Sequence, residues 1–244
     1  MNLAIRLFVG FAAIGLAGGA ALAQTAAKGD PDPVAILAAA KEASGGAAWN
    51  GFATQHSLVA LMAGGFSGEA ERWSEIATGR SVLRFTLGPI AGTMGYDGTV
   101  AWSQDPSGKT SVGTDEAGAE LAANAAYRDQ LAFWFPARHA ASITYKRRAP
   151  ADDALFDVVA ITPNGGREFE LWINTQTHLI ERLAEREAQA TRTEIYMDWK
   201  DVRGVKIPFR VRVLRGDPKA DELVVIERIE FDGSLAGVSF AKPN

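Results

Sequence analysis

The side chains able to do covalent or acid–base chemistry are few and scattered. The chain has no cysteine, which removes thiol nucleophiles, thiolate metal ligands and disulfides together. Its three histidines, His56, His139 and His178, stand far apart. None belongs to a His-x-x-x-His pair that could hold zinc, and His178 follows the Thr175–Thr177 turn region, where an imidazole is solvated. No Gly-x-Ser-x-Gly elbow occurs; in Gly65-Phe-Ser-Gly-Glu69 the second glycine comes one place early. Gly108-Lys109-Thr110 has the ending of a phosphate loop. Ser103 stands where the first glycine belongs, however, and the segment joins two strands, so no helix N-terminus receives a phosphate. Asp97-Gly98 and Asp232-Gly233 lack the middle residue of an aspartic-protease triplet. Glu168/Glu170 and Glu185/Glu187 are the kind of same-face pairs that solvent-facing strands produce routinely. The inventory points to a protein that is not an enzyme and needs neither metal nor organic cofactor.

What remains is an apolar pattern, and the elements that carry it are mostly strands. Residues 24–31 read as a flexible leader. Asp32-Pro33 then opens a helix, with Asp as N-cap and Pro in the first turn, which Gly45-Gly46 stops after about Ala43. From about residue 53 the apolar period becomes two. Leu83, Phe85 and Leu87 share a face, as do Val100 and Trp102. An Ala- and Leu-rich stretch opening on Asp115-Glu116 predicts a second helix over 115–135. Strands follow at 143–148, 155–162, 167–174, 179–187, 191–199, 205–214 and 222–232, punctuated by turns such as Pro163-Asn-Gly-Gly166 and Asp201-Val-Arg-Gly204. Phe169, Leu171 and Ile173 oppose Glu168, Glu170 and Asn174, with Trp172 an exception on the polar side. Ile195, Met197 and Trp199 oppose Glu194 and Asp198, and Phe209, Val211 and Val213 oppose Arg210 and Arg212.

This pattern predicts a mainly β fold: a curled antiparallel sheet of about eleven strands, an incomplete barrel with two helices over its concave face. Residues 32–244 form one domain. A curled sheet with an apolar inner face must be filled by its own side chains or by a guest. The candidate lining is Leu83, Phe85, Trp102, Phe169, Leu171, Ile195, Met197, Trp199, Phe209 and Val211.

The N-terminus reads as an export signal. Arg6 is the one charge before an apolar run from Leu7 to Leu22, and Ala21-Leu22-Ala23 supplies the small-x-small cleavage pattern. Glycines interrupt the run, which falls short of the roughly 20 strongly apolar residues a membrane span requires. Cleavage after Ala23 would send the chain to the periplasm with no transmembrane anchor. It would remove Arg6 and no carboxylate, taking the net charge from −4 to −5. An acidic surface does not favour nucleic acid.

Two segments resemble the LolA/LolB-like periplasmic lipoprotein-carrier superfamily, whose relatives include outer-membrane lipoprotein-sorting proteins. Tyr96-Asp97-Gly98-Thr-Val-Ala-Trp102-Ser-Gln-Asp105-Pro106 is similar to that family's Asp-Gly-x-x-x-Trp-x-x-Asp-Pro signature. Thr193-Glu-Ile-Tyr-Met-Asp198-Trp199-Lys-Asp-Val-Arg-Gly204-Val-Lys-Ile-Pro208 resembles its late hairpin. The stretch Leu87-Gly-Pro-Ile-Ala-Gly-Thr-Met-Gly-Tyr-Asp-Gly98 also looks like the non-catalytic region ahead of bacterial retropepsin-like, PDZ-linked proteins. The superfamily implies a half-barrel that holds a lipid or acyl chain without covalent chemistry. The second resemblance implies an accessory domain that contacts an envelope protein.

Overall fold

The computed structural model describes residues 29–113, 115–187 and 190–243, so the proposed signal and most of the leader, residues 1–28, lie outside the described residues. Thirteen strands form one open antiparallel sheet. From β1 (Thr54–Ala63) the chain meanders through β2 (Phe66–Glu75), β3 (Ser81–Leu87), β4 (Ile90–Tyr96), β5 (Ala101–Gln104) and β6 (Thr110–Val112) to one edge. Helix α2 (Glu116–Asp129) carries it to the other edge. There β7 (Ala141–Ala151), β8 (Ala154–Pro163), β9 (Phe169–Asn174), β10 (Ile180–Arg186), β11 (Thr191–Val202) and β12 (Val205–Leu214) meander back. β13 (Glu222–Phe231) pairs with both β12 and β1 and closes the order at the middle of the sheet.

The mainly β, open antiparallel architecture is as expected. The two additional strands come from the hairpins before residue 113. The β1–β2 connection is a two-residue turn, Gly64-Gly65, with φ of 58° and 81°, the paired positive angles that a right-twisted hairpin asks for.

Helix α1 (Pro33–Ala43) begins where the sequence predicts, with Asp32 accepting from the Val34 N–H at 2.9 Å. Asp115 caps α2 in the same way through Gly118. The second helix ends at Asp129, short of the predicted 135. Leu131 turns left-handed at φ 50°, and Pro136 disfavours helix in the residue before it. The turn lets Phe133, Trp134 and Phe135 reach two cores that a straight helix could not serve together.

The sheet curls tightly around α2. Ala122 on this helix packs with Ala101 of β5, and Asn124 bonds the Arg167 backbone between β8 and β9. On a flat sheet β5 and β8 would stand ten strand spacings apart, about 48 Å, whereas a helix with its side chains is only about 10–12 Å across. The edges are blunted: β6 has three residues, and β7 carries Lys146, Arg147, Arg148 and Pro150.

The helix-side face holds three apolar clusters. Leu37, Ala40 and Tyr127 pack on Val159, Ile161, Phe169, Leu171, Ile173, Ile180 and Leu183. Trp49 and Phe52, in and just after a short 3₁₀ turn (Gly46–Gly51), pack on Ile207 and Phe231. Leu61, Ala70, Leu83 and Leu87 gather over β1–β3, and among the described residues no helix contributes to this cluster.

The reverse face is covered in part by the C-terminal segment, whose Phe240 packs against Trp73, Val82 and Trp102. Trp102 donates its indole N–H to the Phe240 carbonyl at 3.0 Å. A Cβ added at Gly95 would run into the Trp102 ring. Gly95→Ala is therefore expected to destabilise the fold by about 1–3 kcal/mol, the usual cost of overpacking. Urea unfolding measures this, and an unchanged midpoint would contradict the packing described.

Candidate functional site

An apolar cavity lies on the helix side between β9–β12 and the segments after α1 and α2. It measures about 220 Å³, below the roughly 300–1,000 Å³ of pockets for drug-sized ligands. Its wall is built by Trp49, Leu131, Phe133, Trp134, Leu171, Ile180, Leu183, Tyr196, Trp199, Ile207 and Pro208, with Ser44, Arg128 and Lys206 as the other lining residues. The Lys206 N–H donates to the Ser44 carbonyl at 2.8 Å, tying the end of α1 to β12. Trp49 donates its indole N–H to Ser44 Oγ at 3.0 Å. The Trp49 and Trp134 rings lie 5.4 Å apart, and those of Phe133 and Trp134 4.9 Å apart. A second depression of about 260 Å³ over β1–β3 is lined by Glu69, Glu71, Glu227 and Arg84 beside a few apolar groups, and has a far more charged character.

Alongside the cavity runs a polar network that joins α2 to both arms of the sheet. Glu185, only 2% exposed, accepts from Asn124 at 2.5 Å and from Arg128 at 2.9 Å. Asp129 pairs with Arg72 of β2 at 2.5 Å. On β11, Arg192 pairs with Glu194, which also accepts from the Tyr196 hydroxyl at 2.7 Å. Arg215 reaches Glu187 at 2.8 Å and Glu222 at 2.9 Å. Burial pushes the Glu194 carboxyl up, but Arg192, Arg128 and the Tyr196 hydroxyl outweigh it and hold the group below the usual carboxylate range. Burial, and then the Glu194 charge, push the Tyr196 phenol well above its ordinary value.

Asp129 shows the opposite balance. Burial beneath the sheet pushes its carboxyl up more strongly than Arg72 and Arg128 pull it down, although 25% of the side chain stays accessible. Over the interval between the two pKa values the folded chain keeps a proton here that the unfolded chain releases. This group's contribution to stability therefore falls as pH rises from about 4. Asp129→Asn should remove that downward component. Urea midpoints of the two proteins across pH 4–7 test it, and parallel profiles would contradict it.

The ten lining residues expected from sequence divide in space. Leu171 and Trp199 line the cavity. Phe169 is buried in the cluster below it, and Phe209 packs with the Trp49 cluster. Leu83 and Phe85 belong to the helix-free cluster. Val211 pairs with Tyr196 and Val224 on the helix-side face.

Three residues lie on the reverse face. Trp102 is under the C-terminal segment, while Ile195 pairs with Arg182 and Arg212, and Met197 with Arg210. On β11 the inward phase is thus Arg192, Glu194 and Tyr196. Their charges are matched by neighbours, so the polar phase can be the enclosed one. Asp198 adopts φ 55°, and beyond it the alternation slips, so Tyr196 and Trp199, three apart, both line the cavity.

Sequence reasoning missed the Leu131–Trp134 wall, whose signal was the run Phe133-Trp134-Phe135 before Pro136. It also missed Arg128, which no local pattern singles out. Among the described residues no group of three or more His, Asp or Glu side chains is arranged to hold a metal ion, and no helix is long and apolar enough to cross a membrane.

The fold has solved counterparts. A LolA superfamily protein from Nitrosomonas europaea is similar over 87% of this chain and 99% of its own, at a TM-score of 0.57 and 11% identity. A DUF1329 family protein from Desulfovibrio piger matches over 86% and 96%, at 0.57 and 12%. A domain assigned to outer membrane lipoprotein sorting, from Vibrio parahaemolyticus, matches over 85% and 94%, at 0.55 and 8%. No family model matches the chain, and no curated protein matches it significantly. At these identities the likeness is one of fold, the LolA-like half-barrel. The resemblance to the region ahead of retropepsin-like proteins gains no support from these structures.

Proposed function

We propose that this chain is an exported, periplasmic, non-enzymatic binding protein that holds one apolar ligand, an acyl chain or small lipid, in the cavity between the segment after α1, the turn after α2, and β9–β12. The observation that carries this reading is the cavity wall, which is almost wholly apolar and aromatic yet leaves about 220 Å³ unfilled. The space opens to solvent on one side, so its apolar and aromatic wall stays bare to water unless a guest covers it, and covering apolar surface is favourable by about 25 cal/mol per Å². The LolA-like fold and the scarcity of catalytic side chains support a holding role over a chemical one.

Titration with an environment-sensitive fluorescent fatty-acid probe tests the proposal. Trp134 and Trp199 line the cavity, so bound probe should quench tryptophan emission by energy transfer and saturate at one site per chain. A probe that stays dark, together with co-purification of a stoichiometric envelope protein without lipid, would favour the accessory-domain reading instead.

A further inference from the structure

We propose that Asn164 is a site of spontaneous covalent change: its side-chain amide condenses with the backbone nitrogen of Gly165, and the turn joining β8 and β9 converts to aspartate and isoaspartate. The site is independent of whatever the cavity contains. The chain has two Asn-Gly pairs, Asn50-Gly51 and Asn164-Gly165. In such a pair no β-carbon on the second residue hinders attack by its nitrogen.

The two pairs sit in different surroundings. Gly51 ends the 3₁₀ helix Gly46–Gly51, where N–H groups turn to carbonyls three residues back, and the Lys41 ammonium holds Asn50 Oδ1 at 3.1 Å. Asn164 and Gly165 are both exposed. Gly166 closes their turn by donating to the Pro163 carbonyl at 2.9 Å, and Gly165 stands at φ 75°. Neither the Gly165 N–H nor the Asn164 side chain makes a hydrogen bond among the described residues. The Asn164 carbonyl belongs to the same amide as the Gly165 N–H and accepts from His139 Nε2 at 3.1 Å. That bond draws density from the amide and eases loss of the N–H proton.

In the step, hydroxide takes the Gly165 N–H proton and the nitrogen bonds Asn164 Cγ. The Cγ–Nδ2 bond breaks, the leaving nitrogen takes a proton from water, and ammonia departs from a cyclic imide. Water then opens either imide C–N bond, leaving aspartate or isoaspartate, with nothing oxidised or reduced. The consequence falls on α2. Isoaspartate adds one methylene to the main chain of a turn without slack: a Cβ at Gly166 would stand 2.1 Å from Asn124 Oδ1. Arg167 bonds Asn124 through both its N–H and its carbonyl, and Asn124 in turn holds Glu185.

The test is incubation of the whole protein in mildly alkaline buffer, with peptide mapping by mass spectrometry. Asn164 should convert about tenfold faster than Asn50, the factor supplied by the bonds that restrain Asn50 and Gly51, and isoaspartate should be among the products. His139→Leu should slow the conversion about twofold, the low end for one hydrogen bond. The aged protein should unfold at a lower urea midpoint. Asn164→Asp brings the charge without the added methylene and should keep the midpoint of fresh protein, while Asn164→Gln should resist ageing. Conversion at Asn50 first, or an Asn164 that stays intact in folded protein while it converts in urea, would overturn the site. An unchanged rate in His139→Leu would remove the imidazole's part, and equal midpoints for aged and fresh protein would overturn the link to α2.

Discussion

Replacing Glu185 by alanine is expected to lower the unfolding free energy by about 3 kcal/mol, the lower end of the range for stripping one partner from a buried pair. Glu185 is almost fully enclosed, and two donors converge on it, the Asn124 amide and the Arg128 guanidinium. Both come from α2, while Glu185 stands on β10, so the carboxylate is a main polar tie between helix and sheet. Alanine leaves the half-buried Arg128 guanidinium without its ion-pair partner and one of the two Asn124 amide hydrogens without an acceptor, the other still bonding the Arg167 carbonyl. Glu185→Gln keeps an acceptor for Asn124 but not the charge facing Arg128, and should cost less. Combining Arg128→Met with Glu185→Leu removes both charges and should recover much of the loss, because the pair's attraction is largely spent on its own desolvation. Urea unfolding of the four proteins decides the matter. A loss below about 0.5 kcal/mol for Glu185→Ala, the scale of ordinary surface substitutions, would contradict the tie.

The second large effect concerns the ligand. Ile180→Trp places a ring where the cavity is open, and is expected to weaken binding of a fatty-acid probe by about a hundredfold. Displacing three or four methylenes of guest from the site at about 0.8 kcal/mol each gives that factor. Filling an existing void should harm stability little, and Leu183→Phe provides a second route if the first variant folds poorly. Both residues line the same space, so the two variants should weaken binding in the same direction. Undiminished binding by a folded Ile180→Trp protein would place the ligand elsewhere, and the helix-free cluster around Leu83 and Phe85 would become the next surface to examine.

The fold was legible where local chemistry and burial agree. Asp32-Pro33 marks the start of α1 because cap and fixed φ act within one turn. Phe169, Leu171 and Ile173 were placed correctly because all three share the buried phase of β9, even though Trp172 interrupts the polar character of the other phase. The site was much less legible.

On β11 both phases contain apolar groups, and the enclosed one includes Arg192 and Glu194, tolerable inside only because partners distant in sequence neutralise them. Trp102 fits an inward strand position equally well on either face. A segment 138 residues away decides that it faces the C-terminal cover. The cavity wall after α2 depends on a left-handed turn at Leu131, a residue type that does not announce one. Long-range pairing set these three outcomes, and periodicity carries no record of it.

The claim on which the functional account depends is that the space between β9–β12 and the segments after α1 and α2 is occupied in the cell by an apolar guest. Native mass spectrometry of protein purified gently from its own periplasm measures this directly, with solvent extraction of the same sample to identify what is released. The account predicts a mass increment of one small lipid or fatty acid per chain, lost on extraction and absent from the Ile180→Trp protein. A bare polypeptide mass with an empty extract, from protein that also ignores added decanoate, would contradict it.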